Sequence, residues 1–342
     1  MLKNDRKQHI AGLLMLSLTA IFWGAGFVLN DNLLNAAFNS TPNLINTIRF
    51  GIATVLLAAT FNRKLKFNKK ILLYAGLGGL MLFGGFTLQL LGLKRTTPSH
   101  NGFFTVAYVV FVPFIAWILR KQRPSWVTFV GVAVALAGCI VLNINGVSDA
   151  DAAISETLVG DLLTLAGAVM FAGQIALTDY AYAKGEIDYP NMTFWQILTA
   201  TILFALYSAI FESGSYNTVT FDPSYCIWRL VIVSVGGTAF AYLAQGYAQK
   251  HLSPTETSII LACESPIGAL LSIILGVEPF LWNTAVGGAL VVASVIILEL
   301  APYLLKRKNK RNDGAQDGNA LKDAMTTEKD NDEHADKNDS NP

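Results

Sequence analysis

One carboxyl group in the middle of a long apolar segment is the side chain of this sequence best suited to chemistry. Glu264 lies ten residues after Pro254, and apolar residues continue on both sides of it. If the segment is a membrane-spanning helix, a rise of 1.5 Å per residue places Glu264 roughly 15 Å deep, the middle of a ~30 Å hydrocarbon core. An ionisable group at that depth normally faces a cavity or a partner. The position predicts contact with a substrate or a proton; a structural carboxyl group bonded to neighbouring helices is the alternative.

A second apolar segment carries polar side chains at the same expected depth. Tyr108 lies ten residues after Pro98, and the spacing of Asn101, Thr105 and Tyr108 places them on one face of a helix. Two helices with polar faces at one depth are what a central cavity requires. The predicted substrate-binding residues are Trp23, Asn101, Thr105, Tyr108, Gln174 and Glu264.

Further polar side chains are candidates for gating or for coupling to an ion: Arg49, Gln89, Gln245 and again Glu264. Each of the others has an alternative explanation. Arg49 lies seven residues into its apolar segment, close enough to the end to extend outward to water. Gln89 and Gln245 lie near the ends of theirs, where hydrogen bonds between helices are sufficient. Packing against a neighbouring helix explains Trp23 equally well.

Several kinds of catalytic chemistry have no counterpart in the sequence. It contains no HExxH zinc motif and no Walker phosphate-binding motif. Asp161 and Asp179 share one apolar segment, but we expect them near opposite membrane faces, too far apart to share a substrate proton. We therefore predict that the protein is not an enzyme and binds neither a metal nor a cofactor.

Long apolar stretches must position these side chains. Only 14% of the 342 residues are charged, against about a quarter in soluble domains. Ten stretches are long enough to cross a membrane, and each is bounded by a short polar or Gly/Pro-marked break. They lie near 10–30, 42–61, 71–93, 98–119, 125–144, 158–182, 190–211, 225–248, 254–275 and 280–304. The pattern predicts an all-α membrane protein with ten transmembrane helices.

The distribution of Lys and Arg predicts the orientation, because cytoplasmic loops retain positive charge. With the N-terminus inside, 18 of these residues fall in inside segments and 3 in or beside outside loops. Both termini are then cytoplasmic. We expect the protein itself to lie in the inner (plasma) membrane of a cell. The first apolar run lacks a cleavage pattern and is predicted to be a retained helix. Residues 305–342 are highly charged and almost free of apolar side chains, which predicts a disordered cytoplasmic tail.

The two halves of the sequence resemble each other. Residues 12–30 align with residues 160–178 at an offset of 148, and an offset of 156 later pairs Gln89 with Gln245 and Tyr108 with Glu264. Each half contains five predicted helices, an odd number, so the second half must enter the membrane from the opposite side. The sequence predicts two inverted five-helix repeats, residues 1–145 and 158–304, around a central cavity. Many secondary transporters are built in this way.

Four motifs occur in order along the chain: FWGAGF at 22–27, IRFG at 48–51, LQLLGLKRTTPSHNGFFTVAYVVFVPFIAWILRKQRPS at 88–125 and SPTETSIILACESPIGALLSIILGVEP at 253–279. Together they resemble the drug/metabolite transporter superfamily, specifically its ten-helix EamA-like branch, over residues 10–302. Gln122 and Ser265 depart from the family pattern, which has glutamate and usually proline there. The resemblance implies two inverted five-helix repeats around a central cavity, and export or exchange of small metabolites, often amino acids.

The predicted function is secondary transport of small metabolites, amino acids or related compounds, by export or exchange across the inner membrane with alternating access. A non-transporting membrane receptor or assembly protein with the same fold is the alternative. The expected partners are a small-molecule substrate, the lipid bilayer and, as a candidate coupling ion, protons. We expect a monomer or a homodimer. Nucleic acid is not an expected partner, because residues 1–305 carry a net charge of only +2.

Overall fold

Helices are the regular secondary structure in the part of the chain that the computed structural model describes. That part comprises residues 3–121, 123–143, 151–185, 187–277, 279–280, 282–283, 285–294 and 296–297. In chain order the helices are α1 (Lys3–Leu33), α2 (Pro42–Phe61), α3 (Lys69–Leu93), α4 (Pro98–Val106), α5 (Tyr108–Arg120), α6 (Trp126–Asn143), α7 (Asp151–Ala183), α8 (Tyr189–Tyr207), α9 (Pro223–Val231), α10 (Ala241–Ala248), α11 (Pro254–Leu261) and α12 (Glu264–Ile274). π-helical segments lie at Leu34–Phe38, Ser208–Glu212 and Ile232–Phe240, and a 3₁₀ helix at Ser213–Thr218. The predicted all-α class is confirmed for these residues.

Eight helical segments of the described ranges are long and apolar enough to cross a membrane. They are Arg6–Phe38, Pro42–Phe61, Lys69–Leu93, Pro98–Arg120, Thr157–Ala183, Tyr189–Thr218, Pro223–Ala248 and Pro254–Ile274. At the fifth and tenth predicted positions, the described residues give the apolar helical segments Trp126–Gly138 and Ala285–Ser294. The count of ten therefore stays a prediction. The predicted tail, the last residues of the tenth stretch and Gln122 lie outside the described residues.

Several of these helices, including α4, α9 and α11, start at a capping side chain followed by proline. The Thr97 hydroxyl accepts a hydrogen bond from the His100 N–H before α4. At the start of α11, Ser253 and Glu256 form a reciprocal capping box. Proline is suited to the first turn because its missing N–H would have no partner there. These starts fix how deep into the bundle each later residue of α4, α5, α11 and α12 lies.

Two helical spans break at corresponding positions. α4 ends at Val106 and α5 begins at Tyr108, while α11 ends at Leu261 and α12 begins at Glu264. Tyr108 and Glu264 differ by the repeat offset of 156 residues, and each is the first residue after its break. The two breaks therefore place a phenol and a carboxyl group at equivalent points of the fold.

Proline accounts for only one of the two breaks. Pro266 has no N–H to donate to the carbonyl of Ala262, and the Ser265 N–H binds that carbonyl instead, at 3.2 Å. This shorter connection tightens the turn that precedes α12. Pro113 lies inside α5 and leaves that helix continuous, so the break before Tyr108 has no proline beside it.

A close helix crossing holds α12 in place. α1 packs on α12, with Gly24 and Gly268 in contact. A Cβ atom at Gly24 would lie 2.8 Å from the backbone oxygen of Glu264 and 2.8 Å from Cγ2 of Ile267, closer than real Cβ atoms approach. Small residues allow such close packing between membrane helices. The distance between α1 and Glu264 therefore depends on glycine at position 24.

The remaining packing leaves an apolar exterior. α3 packs on α7 and α8, α2 on α8, and α1 on α10 as well as α12. Large apolar side chains such as Val55, Ile118 and Phe211 are exposed. Such a surface is suited to lipid, and the buried polar side chains lie between the helices instead.

Candidate functional site

Helices from both halves of the sequence surround one cavity. The space free of atoms measures about 500 Å³ and includes part of the open exterior. The predicted residues that line it are Trp23, Arg49, Gln89, Thr105, Tyr108, Gln174 and Glu264. Asn101 and Gln245 are buried elsewhere and do not line it.

Glu264 and Tyr108 meet in the cavity wall. The Tyr108 hydroxyl donates a hydrogen bond to Glu264 Oε1 at 3.1 Å, and the two residues are only 2% and 3% exposed. No other described residue donates a hydrogen bond to this carboxyl group. A carboxylate has about four acceptor positions. Glu264 therefore retains acceptor capacity for a ligand or a proton.

Arg49 points into the bundle and does not extend outward to water. Its Nε donates to Thr238 Oγ1 at 2.5 Å and its Nη2 to the Gly237 carbonyl at 3.0 Å. The Cζ atom lies 4.6 Å from the centre of the Phe86 ring, within the range of a cation–π contact. Within the described ranges, no carboxylate oxygen lies within 4.0 Å of the guanidinium. Because a guanidinium has five N–H donors, Arg49 keeps donors for an anionic group.

Aromatic rings form another part of the wall. Trp23 Nε1 donates to the Gly237 carbonyl at 2.8 Å, so Trp23 and Arg49 share one acceptor. The ring centre of Tyr242 lies 5.5 Å from that of Trp23 and 6.5 Å from that of Phe86. Tyr242 and Phe86 line the cavity but are absent from the predicted set, because an aromatic residue in an apolar stretch gives no polar signal.

Many lining residues form pairs separated by the repeat offsets. An offset of 148 relates Trp23 to Phe171, Gly26 to Gln174 and Phe27 to Ile175, and an offset of 156 relates Phe86 to Tyr242 and Tyr108 to Glu264. Each pair takes one residue from each half of the chain. Corresponding positions of the two halves therefore face the same space, with different chemistry at several of them.

Asn101 lies one layer behind the cavity wall. Its Nδ2 donates to the Gln89 carbonyl at 2.9 Å and to Thr164 Oγ1 at 2.8 Å. In front of it, Gln89 Nε2 donates to Thr105 Oγ1 at 3.0 Å. Asn101 thus holds α4 against α3 and α7, and Gln89 and Thr105 present the polar groups to the cavity.

Gln245 belongs to a chain of buried glutamines behind Gln174. Gln174 Oε1 accepts a hydrogen bond from Gln245 Nε2 at 3.1 Å, and Gln174 Nε2 donates to Gln196 Oε1 at 3.1 Å. Gln245 Nε2 also contacts Gln249 Oε1 at 3.3 Å. These amides join α7, α8 and the C-terminal end of α10, and they fill the space behind Gln174 with neutral polar groups.

Comparison with known proteins relates this arrangement to a family. Residues 10–144 and 158–300 match the EamA-like transporter family. The chain belongs to that family. It is 29% identical over 286 residues to an uncharacterized transporter of Archaeoglobus fulgidus, which covers 83% of this chain and 84% of the relative. It is 24% identical over 269 residues to the uncharacterized transporter YetK of Bacillus subtilis, with 74% and 77% covered.

A solved crystal structure shares the fold of this EamA-like chain. It aligns with a TM-score of 0.68 at 18% identity, and the alignment covers 86% of this chain and 98% of that one. Together with the eight apolar spans, the family match makes the chain a multi-pass membrane protein.

A second buried carboxylate of the EamA-like chain lies away from the cavity. Glu212 Oε1 accepts hydrogen bonds from the Asn43 N–H at 2.9 Å and from Asn43 Nδ2 at 3.2 Å. Its Oε2 accepts from the Leu44 N–H at 3.0 Å and from Ser208 Oγ at 2.8 Å. The carboxylate caps α2, which has no side-chain cap from its own preceding residue. Glu212 directly follows a predicted apolar stretch, where an acidic residue gives no signal of burial.

α7 makes polar contacts near both of its ends. His100 Nδ1 lies 3.4 Å from Asp161 Oδ2, and Arg120 Nη1 donates to both oxygens of Asp179 at 2.9 and 3.1 Å. The two aspartates have separate partners, which connect α7 to α4 at one end and to α5 at the other. Over the residues that the structure describes, no group of three His, Cys, Asp or Glu is arranged to hold a metal ion.

Proposed function

We propose that this chain is a secondary transporter of small zwitterionic metabolites, amino acids or related compounds, which it exports or exchanges across the inner membrane by alternating access. One observation carries the proposal. The wall of a single cavity contains a carboxyl group, Glu264, and a guanidinium group, Arg49, that do not form a salt bridge with each other. A ligand with one cationic and one anionic group would satisfy both.

The energetics of burial favour such a ligand. Taking an unpaired charge out of water is costly. Among the described residues, Arg49 is compensated by a carbonyl, a hydroxyl and two aromatic rings, those of Phe50 and Phe86. A substrate carboxylate would complete this set with charge-assisted hydrogen bonds. Its ammonium group would bind Glu264, and an apolar side chain would contact the aromatic rings of Trp23 and Tyr242.

The proposed architecture is ten transmembrane helices in two inverted five-helix repeats, residues 1–145 and 158–304, with both termini and the tail 305–342 in the cytoplasm. The paired lining residues and the two corresponding helix breaks support it, because discontinuous helices at a central site are frequent in transporters built from inverted repeats. The asymmetry of Lys and Arg along the sequence supports the orientation.

Protons are the proposed coupling ion, with Glu264 as their acceptor. Its single hydrogen bond from Tyr108 supports this role, because the carboxyl group can receive a proton without losing several native partners. Arg49, Gln89 and Gln245 are proposed to gate access to the cavity. The transporter would act as a monomer or a homodimer.

Two assays on the purified full-length chain test this function. A thermal-shift screen should find an amino acid that raises the melting temperature, since a ligand that binds only the folded state stabilises it by an amount that grows with its concentration relative to Kd. Counterflow of that labelled amino acid into loaded proteoliposomes should then exceed the leak into empty liposomes. The corresponding amine and carboxylic acid, each lacking one charged group, are the matched controls and should bind more weakly.

The two assays separate the ways in which the proposal can be wrong. Stabilisation by an amino acid without counterflow would contradict transport and favour a non-transporting receptor. Equal stabilisation by the amino acid, the amine and the acid would contradict recognition of both charges.

A further inference from the structure

We propose that Glu212 is a positioning residue for substrate recognition: by capping α2, it fixes the helix that carries Arg49. The inference rests on the proposed function, which assigns Arg49 to the substrate carboxylate. Glu212 lies at the end of the π-helical segment that extends α8, 169 residues after Asn43 in the sequence. It therefore connects the segment after α8 to the start of α2.

The contacts of Glu212 restrict both the depth and the rotation of α2. Two of its four hydrogen bonds come from backbone N–H groups, which move only with the helix itself. The Ser208 hydroxyl donates to Oε2, the oxygen that also accepts the Leu44 N–H, and lies 3.0 Å from the Tyr216 hydroxyl. Glu212 is 5% exposed, so water does not substitute easily for these partners.

A second contact ties the same end of α2 to the aromatic wall. Thr87 Oγ1 donates to Asn43 Oδ1 at 2.8 Å. Thr87 follows Phe86, whose ring lies under the Arg49 guanidinium. Asn43 and Arg49 are six residues apart on one helix, roughly 9 Å along its axis. The cap at Glu212 thus sets the position of α2 relative to Phe86, and with it that of the guanidinium.

The position of Arg49 must be precise because the groups that hold its guanidinium lie on another helix. Its Nε and Nη2 must meet Thr238 and Gly237 together, while the remaining donors stay directed at the cavity. Binding groups generally have to be held within about 0.5 Å of the productive geometry. A small shift of α2 would therefore weaken recognition of a carboxylate without closing the cavity.

The other half of the chain provides a matched control. Asn191 lies 148 residues after Asn43, and Asp188 Oδ1 accepts hydrogen bonds from its N–H at 3.2 Å and its Nδ2 at 2.6 Å. Asp188→Asn therefore makes the same chemical change, carboxylate to amide, at the start of α8. α8 contributes no residue to the cavity lining.

The test compares KM for an amino acid with KM for its decarboxylated amine in proteoliposomes. Glu212→Gln should raise KM for the amino acid about tenfold, the scale of one charge-assisted hydrogen bond, and leave KM for the amine unchanged. Asp188→Asn should leave the ratio of the two KM values unchanged. A merely structural role of Glu212 predicts an equal change for both substrates, and that result, or an unchanged ratio, would overturn the proposal.

An Arg49→Lys variant separates failure of this inference from failure of the proposed function. If Arg49→Lys alters the KM ratio and Glu212→Gln does not, only the positioning role is wrong. If Arg49→Lys leaves the ratio unchanged, the assignment of the substrate carboxylate to Arg49 is wrong.

A measurement without substrate tests the positioning role of Glu212 independently of transport. The melting-temperature shifts of Glu212→Gln and Arg49→Lys, measured singly and together, should be non-additive if the cap fixes the contacts of Arg49. Additive shifts are normal for separate sites and would overturn the proposal.

Should Glu212→Gln fail to fold, Ser208→Ala takes its place, because it removes one hydrogen bond from Glu212 and leaves α2 capped. A smaller change in the same KM ratio supports the proposal, and an unchanged ratio contradicts it.

Discussion

Two buried carboxylates, Glu212 and Glu264, differ in the number of hydrogen bonds that they accept. Glu212 accepts four, two of them from backbone N–H groups of α2. From the residues that the structure describes, Glu264 accepts one, from Tyr108, and it faces the cavity. A carboxylate with all its acceptor positions filled is part of the fold, whereas one with spare positions in a cavity is available to a ligand. Burial is common to both, so the number of donors is what distinguishes their roles.

The largest expected effect is the loss of transport in Glu264→Gln. The amide keeps the shape of the side chain and an oxygen for Tyr108, but it removes the charge. We expect transport into proteoliposomes to fall about a hundredfold, the scale for removing one partner of a buried charge pair. The melting temperature should stay close to that of the wild type. Full activity with unchanged pH dependence would contradict a direct role of Glu264.

Glu212→Gln should show the opposite profile, with stability affected more than turnover at saturating substrate. An amide NH₂ in the place of Oε1 would face the Asn43 N–H, and in the place of Oε2 it would face the Leu44 N–H. An unsatisfied buried group costs about 1–3 kcal/mol of unfolding free energy. Unfolding of the detergent-purified protein measures this loss. Ser208→Ala is the graded control and should cost less. Wild-type stability in Glu212→Gln would remove the distinction between the two carboxylates.

Gly24→Ala tests whether the position of Glu264 depends on helix packing, as the hydrogen bonds of Glu212 depend on α2. The new Cβ would lie 2.8 Å from the Glu264 backbone oxygen, so α12 must shift away from α1. We expect a loss of about 1–3 kcal/mol in stability, typical of overpacking, together with reduced transport. Gly76→Ala is the control, because nothing lies within 4 Å of a Cβ there. Equal tolerance of both substitutions would show that the α1–α12 crossing can adjust.

The smallest expected effect is that of Tyr108→Phe. The phenol donates a hydrogen bond to Glu264, and a single bond of this kind contributes about 0.5–1.5 kcal/mol. Transport should therefore fall only severalfold, and its pH dependence should shift. A loss as large as that in Glu264→Gln would mean that the two side chains act as one unit.

The meeting of Tyr108 and Glu264 is the part of the site that sequence reasoning located best. Counting ten residues from Pro98 and Pro254 gave both side chains one depth, and the structure brings their oxygens within 3.1 Å. The count works because both spans begin at a capped proline and break at corresponding positions, so the same number of residues leads to a similar depth in each. The same offset of 156 relates Phe86 to Tyr242. Pairing residues by the repeat offset, and not by polarity alone, identifies these two aromatic residues as equivalent positions of the two halves.

Other features depend on contacts between distant parts of the chain. Helical spacing gives the face of Asn101 but not its distance from the cavity, which Gln89 and Thr164 determine. Asn43, the partner of Glu212, is 169 residues away in the sequence, and no local sequence pattern predicts this contact. The break before Tyr108 has no proline beside it, so local propensity alone did not predict its position.

Trp23 and Arg49 donate to the same carbonyl, that of Gly237, so the indole of Trp23 is an optical probe already present beside Arg49. The emission of an indole depends on its hydrogen bond and on the polarity around it. Of the six tryptophans in the sequence, Trp23 is the one that lines the cavity. The fluorescence difference between the wild type and Trp23→Phe therefore reports on the cavity wall itself. Occupancy of the site can be followed in this way with an unlabelled compound and without attaching a fluorophore to the protein.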